Sequence, residues 1–282
     1  MSKGSKRWLF YSAVAVFLLL SYIVILYAQG YKYDFSEGKF FRTGAISLKV
    51  NTGAKIFLDD ELQGDTSFFN SSYSIDGLLP GTYKLNVQKD GYASWQKTAT
   101  VEEGFVVDFS NTLLLSEEGE DEQKLFDEVD ALFKELEPVP TLKPTSAPKP
   151  KISPSPTPEI KDPYILDVKN KKLLRSIEQR LEEIADNVTG FRLSKNNNKL
   201  AWWTNNELWV MWLNDQNYQP FYKKGDKELI TRFSMQIQNG AWFRGEDHLV
   251  LELERFDSKN RPYSIYQVVE IDKRGGVNIV EL

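Results

Sequence analysis

The 282-residue chain has no cysteine, which excludes disulfide scaffolds, thiolate metal sites and cysteine nucleophiles. It has one histidine, His248, so a histidine-rich metal cluster is excluded and a single imidazole is left for acid–base work. Neither sign of charge dominates. There are 35 lysines and arginines against 40 acidic residues, and a net charge of −5 offers no general attraction for nucleic acid. Also missing are a nucleophile elbow, an H-x-x-x-H metal motif and a glycine-rich phosphate loop. His248 follows Gly245-Glu246-Asp247 and reads as a turn residue at a strand start. No catalytic residue, cofactor or metal is expected, and the chain reads as a non-enzyme.

Charge is also absent from Trp8 to Tyr31. A helix crossing a hydrocarbon core of about 30 Å needs about 20 apolar residues, and the run from Leu9 to Leu26 meets that need. Trp8, Tyr22, Tyr27 and Tyr31 include aromatic residues near both ends, where amphipathic rings favour the membrane interface. Lys3, Lys6 and Arg7 precede the run. Residues 8–31 are therefore read as a single-pass anchor in the lipid bilayer, with residues 1–7 as a cytoplasmic tail and the bulk extracytoplasmic. A cleaved signal peptide is the competing reading, since Ala28-Gln29-Gly30 loosely resembles a small-x-small cleavage pattern. The length of the apolar run argues against it.

Composition divides the remainder. Residues 43–115 read as short strands. Residues 116–137 hold ten acidic residues and two lysines. Their Leu125, Val129, Leu132 and Leu136 form one helical stripe, with Phe126 and Phe133 beside it. This predicts an acidic amphipathic helix that docks on a neighbouring domain or binds a partner. A calcium site is not expected there, because the alternating ligands and central glycine of a calcium loop are missing. Residues 138–163 carry nine of the twelve prolines and read as an extended, semi-rigid linker. Residues 164–282 return to a mixed, aromatic-rich composition.

Within 43–115, Ile46, Leu48 and Val50 alternate with Ser47 and Lys49, and apolar residues recur at every second position in Ile56 and Leu58, in Tyr83, Leu85 and Val87, and in Phe105, Val107 and Phe109. Period two places one face of each strand in a core. Turn signals stand at Asn51-Thr52-Gly53, Asp59-Asp60, Pro80-Gly81 and Asp90-Gly91. Short antiparallel strands with turns this frequent predict a β-sandwich.

The same stretch contains Gly53-Ala54 between two strands, then Leu79-Pro80-Gly81-Thr82-Tyr83-Lys84-Leu85-Asn86-Val87 and Lys89-Asp90-Gly91-Tyr92-Ala93-Ser94-Trp95. It resembles a PEGA domain, whose pattern runs strand, "PEGA", strand, then "L-x-P-G-x-Y-x-L-x-V-x-K-x-G-Y". The second half of the pattern matches closely. In the first half only the Gly-Ala pair of the tetrapeptide is kept, and Gly64-Asp65-Thr66 stands where "G-x-T-P" is usual, followed by a longer serine-rich loop. Gly53, Ala54, Pro80, Gly81, Tyr83, Gly91, Tyr92 and Trp95 are given structural roles. Pro80 presets a turn, Gly81 is free to take a positive φ, and Tyr92 and Trp95 fold onto the sheet. The resemblance implies an accessory extracellular module.

In the last block, Leu173, Leu174, Ile177, Leu181 and Ile184 suggest a short amphipathic helix. Two β-rich units follow, one over Phe191–Leu213 and one over Gly240–Asp272, each ordered strand, polar turn, strand, turn, strand. They resemble blades of a TolB-like β-propeller. A closed ring needs at least four blades of roughly 40–45 residues, and residues 187–282 supply two. An incomplete propeller is therefore expected. Trp202, Trp203, Trp209, Trp212 and Trp242 lie on these strands, as core residues or, for Trp202, Trp203 and Trp242, as ligand-facing aromatics.

The fold expectation is a mainly β protein with one transmembrane helix, a PEGA-like β-sandwich, a proline-rich linker, a C-terminal propeller-like domain and one or two short amphipathic helices. The functional expectation is a membrane-anchored, non-catalytic binding or scaffold protein of the bacterial cell envelope, whose partner is protein or glycan. The alternative is an accessory or sensory subunit of an inner-membrane or envelope complex. With a tail of about seven residues, sensing would require a second chain.

Overall fold

The computed structural model describes residues 3–67, 69–136, 138–141, 163–177 and 180–282. Most of the linker predicted over 138–163 therefore lies outside the described residues. The chain divides into two compact units, one of residues 3–90 and 94–114, the other of residues 91–93 and 115–282.

The first unit begins with α1 (Lys3–Ala28). Within it, Arg7–Ala28 forms one helix long and apolar enough to cross a membrane, with none of its most apolar stretch buried by protein. Ser12 Oγ donates to the Trp8 carbonyl at 2.8 Å, one turn back along the helix. The helix ends at a left-handed glycine, Gly30 (φ 84°), whose N–H donates to the Tyr27 carbonyl at 3.0 Å. A two-stranded hairpin follows at once, β1 (Tyr31–Asp34) and β2 (Lys39–Arg42).

Seven strands make the sandwich: β3 (Gly44–Val50), β4 (Lys55–Leu58), β5 (Glu61–Asp65), β6 (Ser72–Leu78), β7 (Gly81–Gln88), β8 (Trp95–Val101) and β9 (Val106–Thr112). One sheet has the order β6-β3-β9 and the other β5-β4-β7-β8. Ile46, Leu48, Ile56, Leu85, Val87, Val101 and Val107 are buried, as period-two alternation predicts. Three expectations need correction. The strands are not all antiparallel, because β3 and β9 run parallel; the chain crosses between the sheets after β8 and returns in the direction of β3. The serine-rich stretch is not all loop, because Ser72–Leu78 pairs along β3 as an edge strand. Phe105 stays exposed, since β9 begins one residue later.

Among its described residues, the second unit carries α2 (Gly119–Glu135) and eleven strands. The first sheet is β10 (Tyr164–Asp167), β11 (Lys172–Ile177) and β12 (Arg180–Ala185). Residues 173–177 and 180–184 therefore lie on paired antiparallel strands, not on the predicted helix. Asp167 fixes the preceding turn, accepting from the Asn170 backbone N–H at 3.1 Å and from its side-chain amide at 2.7 Å, while Lys171 takes a left-handed φ of 54°. Leu173 is wholly buried while Ile177 and Leu181 are exposed, so the spacing of leucines follows no continuous helical face. On the far side of β10, Leu166 donates to the Pro140 carbonyl at 2.8 Å, and Thr141 forms a parallel bridge to Leu166.

The middle sheet is β13 (Gly190–Leu193), β14 (Lys199–Trp203), β15 (Glu207–Trp212) and β16 (Lys227–Arg232). The last is β17 (Gln236–Trp242), β18 (His248–Phe256), β19 (Pro262–Glu270) and β20 (Ile279–Glu281). Each is an antiparallel meander in sequence order. The middle sheet is buried on both faces. Leu200, Trp202 and Met211 join Tyr164, Leu166 and Leu173 of the first sheet in one core. Ala201, Trp203, Leu208, Val210 and Trp212 join Leu249, Leu251, Leu253 and Val269 of the last sheet in another. The three sheets do not close into a propeller.

The helix α2 packs on the last sheet. Phe133 stacks on Tyr266 of β19 at 5.2 Å and Phe126 meets the same ring edge-on at 5.6 Å. Arg244 pairs with Glu128, and Leu125 and Val129 are buried. Of the two roles open to this helix, docking on its own neighbour is the one its apolar side fulfils. Its acidic first turn suits the positive end of a helix dipole.

Candidate binding surfaces

The motif residues of the sandwich fix its corners. Thr66, buried, joins the Gly53–Ala54 corner: its hydroxyl accepts from the Ala54 N–H at 3.0 Å and donates to the Thr52 carbonyl at 3.1 Å, and its own N–H donates to the Ala54 carbonyl at 2.9 Å. A Cβ at Gly53 would lie 3.2 Å from the Thr66 carbonyl, which explains the small residue there. At the next corner the Tyr83 hydroxyl donates to the Leu79 carbonyl at 2.8 Å, spanning Pro80. Burial, with the charges of Asp59 and Asp34, raises the pKa of that phenol, so it stays a donor. Gly81 does not use a positive φ, contrary to expectation; Gly91 does, at 74°.

Trp95 is a core residue, set edge-to-face on Phe109 at 5.2 Å. Tyr92 forms a bridge with Ser116, and its hydroxyl donates to Asp121 of α2 at 3.3 Å. The Gly91 carbonyl accepts from the Glu117 N–H at 2.9 Å. These residues are spread over three corners and a core, and they do not converge on a pocket.

The tryptophan readings are corrected by burial. Trp202 is 3% exposed and Trp203 2%, so both are core residues, and only an edge of Trp202 borders an open cleft of about 360 Å³ beside Trp209 and Glu207. They point to opposite faces of β14 and serve different cores. Trp202 stacks on its cross-strand partner Trp209 with ring centres 5.9 Å apart. The Trp203 indole occupies space left by two glycines: a Cβ at Gly190 would lie 2.5 Å from its ring, and one at Gly240 3.0 Å away. Trp242 is half-buried, packs against the core shared by the middle and last sheets, and donates through Nε1 to the Arg192 carbonyl at 3.2 Å. The three side chains form no common platform.

A polar cluster missed by sequence reasoning joins the β13–β14 turn to the β17–β18 turn. Lys199, buried, donates to Asp247 Oδ1 at 2.6 Å and to the Glu246 carbonyl at 3.0 Å. Glu246 accepts from the Asn196 N–H at 3.1 Å and the Asn198 amide at 2.9 Å. Burial works to raise the Glu246 pKa, but hydrogen bonds from Ser194, Asn198 and Asn196, with the charge of Lys199, hold it below its ordinary value. His248 is buried as the first residue of β18, and its carbonyl accepts from the Phe243 N–H at 2.9 Å. The cluster's charges are spent on one another, which suits a clasp between sheets. Its only sequence signal is the pairing of an Asn-rich turn with an acidic turn about 50 residues later.

Between the first and middle sheets lies an open cleft of about 620 Å³, lined by Tyr164, Arg175, Glu183, Asn197, Trp212 and Lys224 among others. Lys172 pairs with Glu183 at 2.6 Å beside it. The lining mixes both signs of charge with aromatic surface.

A family comparison matches residues 46–116 to the PEGA domain. That match covers the sandwich strands and the Leu115–Ser116 segment beyond them. No family match extends to the propeller resemblance of the C-terminal sheets. None of the curated proteins compared matches the chain.

Proposed function

We propose that this chain is a membrane-anchored, non-catalytic binding or scaffold protein of the bacterial cell envelope, holding a PEGA domain and a second β-domain outside the cytoplasmic membrane. The observation that carries this reading is the join between α1 and the PEGA unit. A 22-residue apolar segment, unburied by protein, is followed after two residues by folded β-structure that leads into the matched domain. Lys3 and Lys6 before that segment, with Arg7 at its first position, favour a cytoplasmic N-terminus and an extracytoplasmic bulk. The internal use of Lys199, Glu246, Asp247 and His248 as turn and packing residues supports a binding role over catalysis.

The partner is protein or glycan of the envelope. Residues 32–282, freed of the helix, are expected to sediment with purified cell-wall or surface-layer fractions. Retention that survives deletion of residues 138–282 assigns the contact to the PEGA domain, and retention lost on that deletion assigns it to the C-terminal sheets. No retention in any fraction overturns the wall-scaffold reading and favours an accessory subunit of a membrane complex.

A further inference from the structure

The segment between the apolar helix and the sandwich is short, folded and rich in aromatic side chains. β1 and β2 put Tyr33 opposite Phe40, and the two rings meet edge-to-face at 5.1 Å. Tyr27, in the last turn of α1, meets Phe40 at 6.3 Å, and Phe35 at the hairpin tip meets Tyr33 at 5.0 Å while remaining 89% exposed. A continuous aromatic surface thus runs from the end of the helix to the tip of the hairpin.

That surface is held rigidly to the helix. The Gly30 carbonyl accepts from both the backbone N–H and the hydroxyl of Thr43, each at 2.8 Å, which closes the hairpin's base on the helix end. The tip is fixed by Asp34, whose carboxylate accepts from the Ser36 N–H at 2.8 Å and the Ser36 hydroxyl at 2.6 Å. Glu37 at the tip pairs with Lys39 at 3.4 Å, and Lys39 also lies 4.6 Å from the Phe41 ring centre.

Length then sets the depth. Twenty-two helical residues rise about 33 Å at about 1.5 Å each, enough to cross a hydrocarbon core of about 30 Å. Ala28 therefore falls near the outer boundary of that core, and a hairpin starting at Tyr31 falls among the headgroups. Four-residue strands are only about 13 Å long, so the tip has little room to leave that layer unless the hairpin stands upright. Tyrosine and lysine are side chains that this layer favours, and phenylalanine serves the apolar face of segments that lie in it.

We propose that the β1–β2 hairpin is an interfacial foot that seats Tyr27, Tyr33, Phe35 and Phe40 in the phospholipid headgroup layer on the hairpin side of the membrane. It would fix the tilt at which the PEGA unit leaves the bilayer, in place of a flexible tether. This inference rests on the reading of α1 as a membrane span.

The absence of native cysteine allows a direct test. Full-length Phe35→Cys, Val16→Cys and Lys259→Cys proteins, each spin-labelled, are reconstituted in vesicles of phosphatidylcholine and phosphatidylglycerol. Power saturation with oxygen and with a water-soluble nickel complex then reports the depth of each label. Position 16 is expected to be deep, position 259 to be in water, and position 35 to lie between them, partly shielded from nickel. A label at 35 as open to nickel as the one at 259, with position 16 deep, overturns the interfacial foot and leaves the span intact. A label at 16 open to nickel overturns the span itself, and the foot with it.

Discussion

The two units reach burial by different routes. In the PEGA sandwich each sheet buries one face, so apolar and polar residues alternate and the corners carry recognisable glycine, proline and tyrosine signals. In the C-terminal unit the middle sheet is covered on both faces, so all five residues of β14 are buried and two adjacent tryptophans enter different cores. Alternation locates a sheet with one wet face; a continuous apolar run such as Leu208–Trp212 marks a sheet with none.

The largest expected effect separates the two cores of the middle sheet. Trp203→Ala should cost about 3–5 kcal/mol, since a large ring seated against Gly190 and Gly240 leaves a cavity the backbone has little freedom to fill. Amide exchange should rise along the middle and last sheets, whereas Trp202→Ala should raise it along the first and middle. The same pattern from both variants would break the two-core description. In the sandwich, Leu85→Ala should cost about 2–4 kcal/mol by removing a wholly buried side chain, measured by denaturant unfolding of residues 32–282.

Smaller effects test the clasp between sheets. Asp247→Ala should cost about 2 kcal/mol, because it leaves Lys199 buried without its carboxylate, although access of water to the turn limits the loss. Lys199→Met, which removes the buried charge, should be milder in the same unfolding measurement. Glu246 supplies a pH test. Its pKa in the folded chain lies below the ordinary 4.5, so its contribution is fully present above the unfolded value and is lost as pH falls through the lowered folded value. Glu246→Gln should cost about 1 kcal/mol at pH 6, and the difference from the parent protein should vanish below that window. A constant difference down to pH 2.5 would remove Glu246 from the clasp.

Much of the architecture is legible in the chain itself. The apolar helix, the sandwich and its motif corners, the acidic helix and the β-rich C-terminal block follow from hydrophobic period and turn chemistry. The failures have physical causes. β8 shows strict alternation, but its buried face includes Lys97, 1% exposed, and a lysine in that register hides the pattern. Residues 173–184 place leucines near helical spacing, and the turn set by Asp167, Asn170 and Lys171 just before them, which pairs β10 with β11, is the local signal that the stretch begins as a strand. β6 is an edge strand whose serines face water, so its ladder is made by the backbone rather than by an apolar face. The clasp around Lys199 joins residues nearly 50 positions apart, beyond the reach of local pattern.

The central claim is that α1 anchors two β-units on the far side of the cytoplasmic membrane. Cysteine labelling tests it most directly, using Ser5→Cys and Lys259→Cys in a chain without competing thiols. In intact protoplasts a membrane-impermeant maleimide is predicted to modify position 259 at once and position 5 only after permeabilisation. Modification of position 5 in intact protoplasts, with position 259 protected until permeabilisation, would contradict the account.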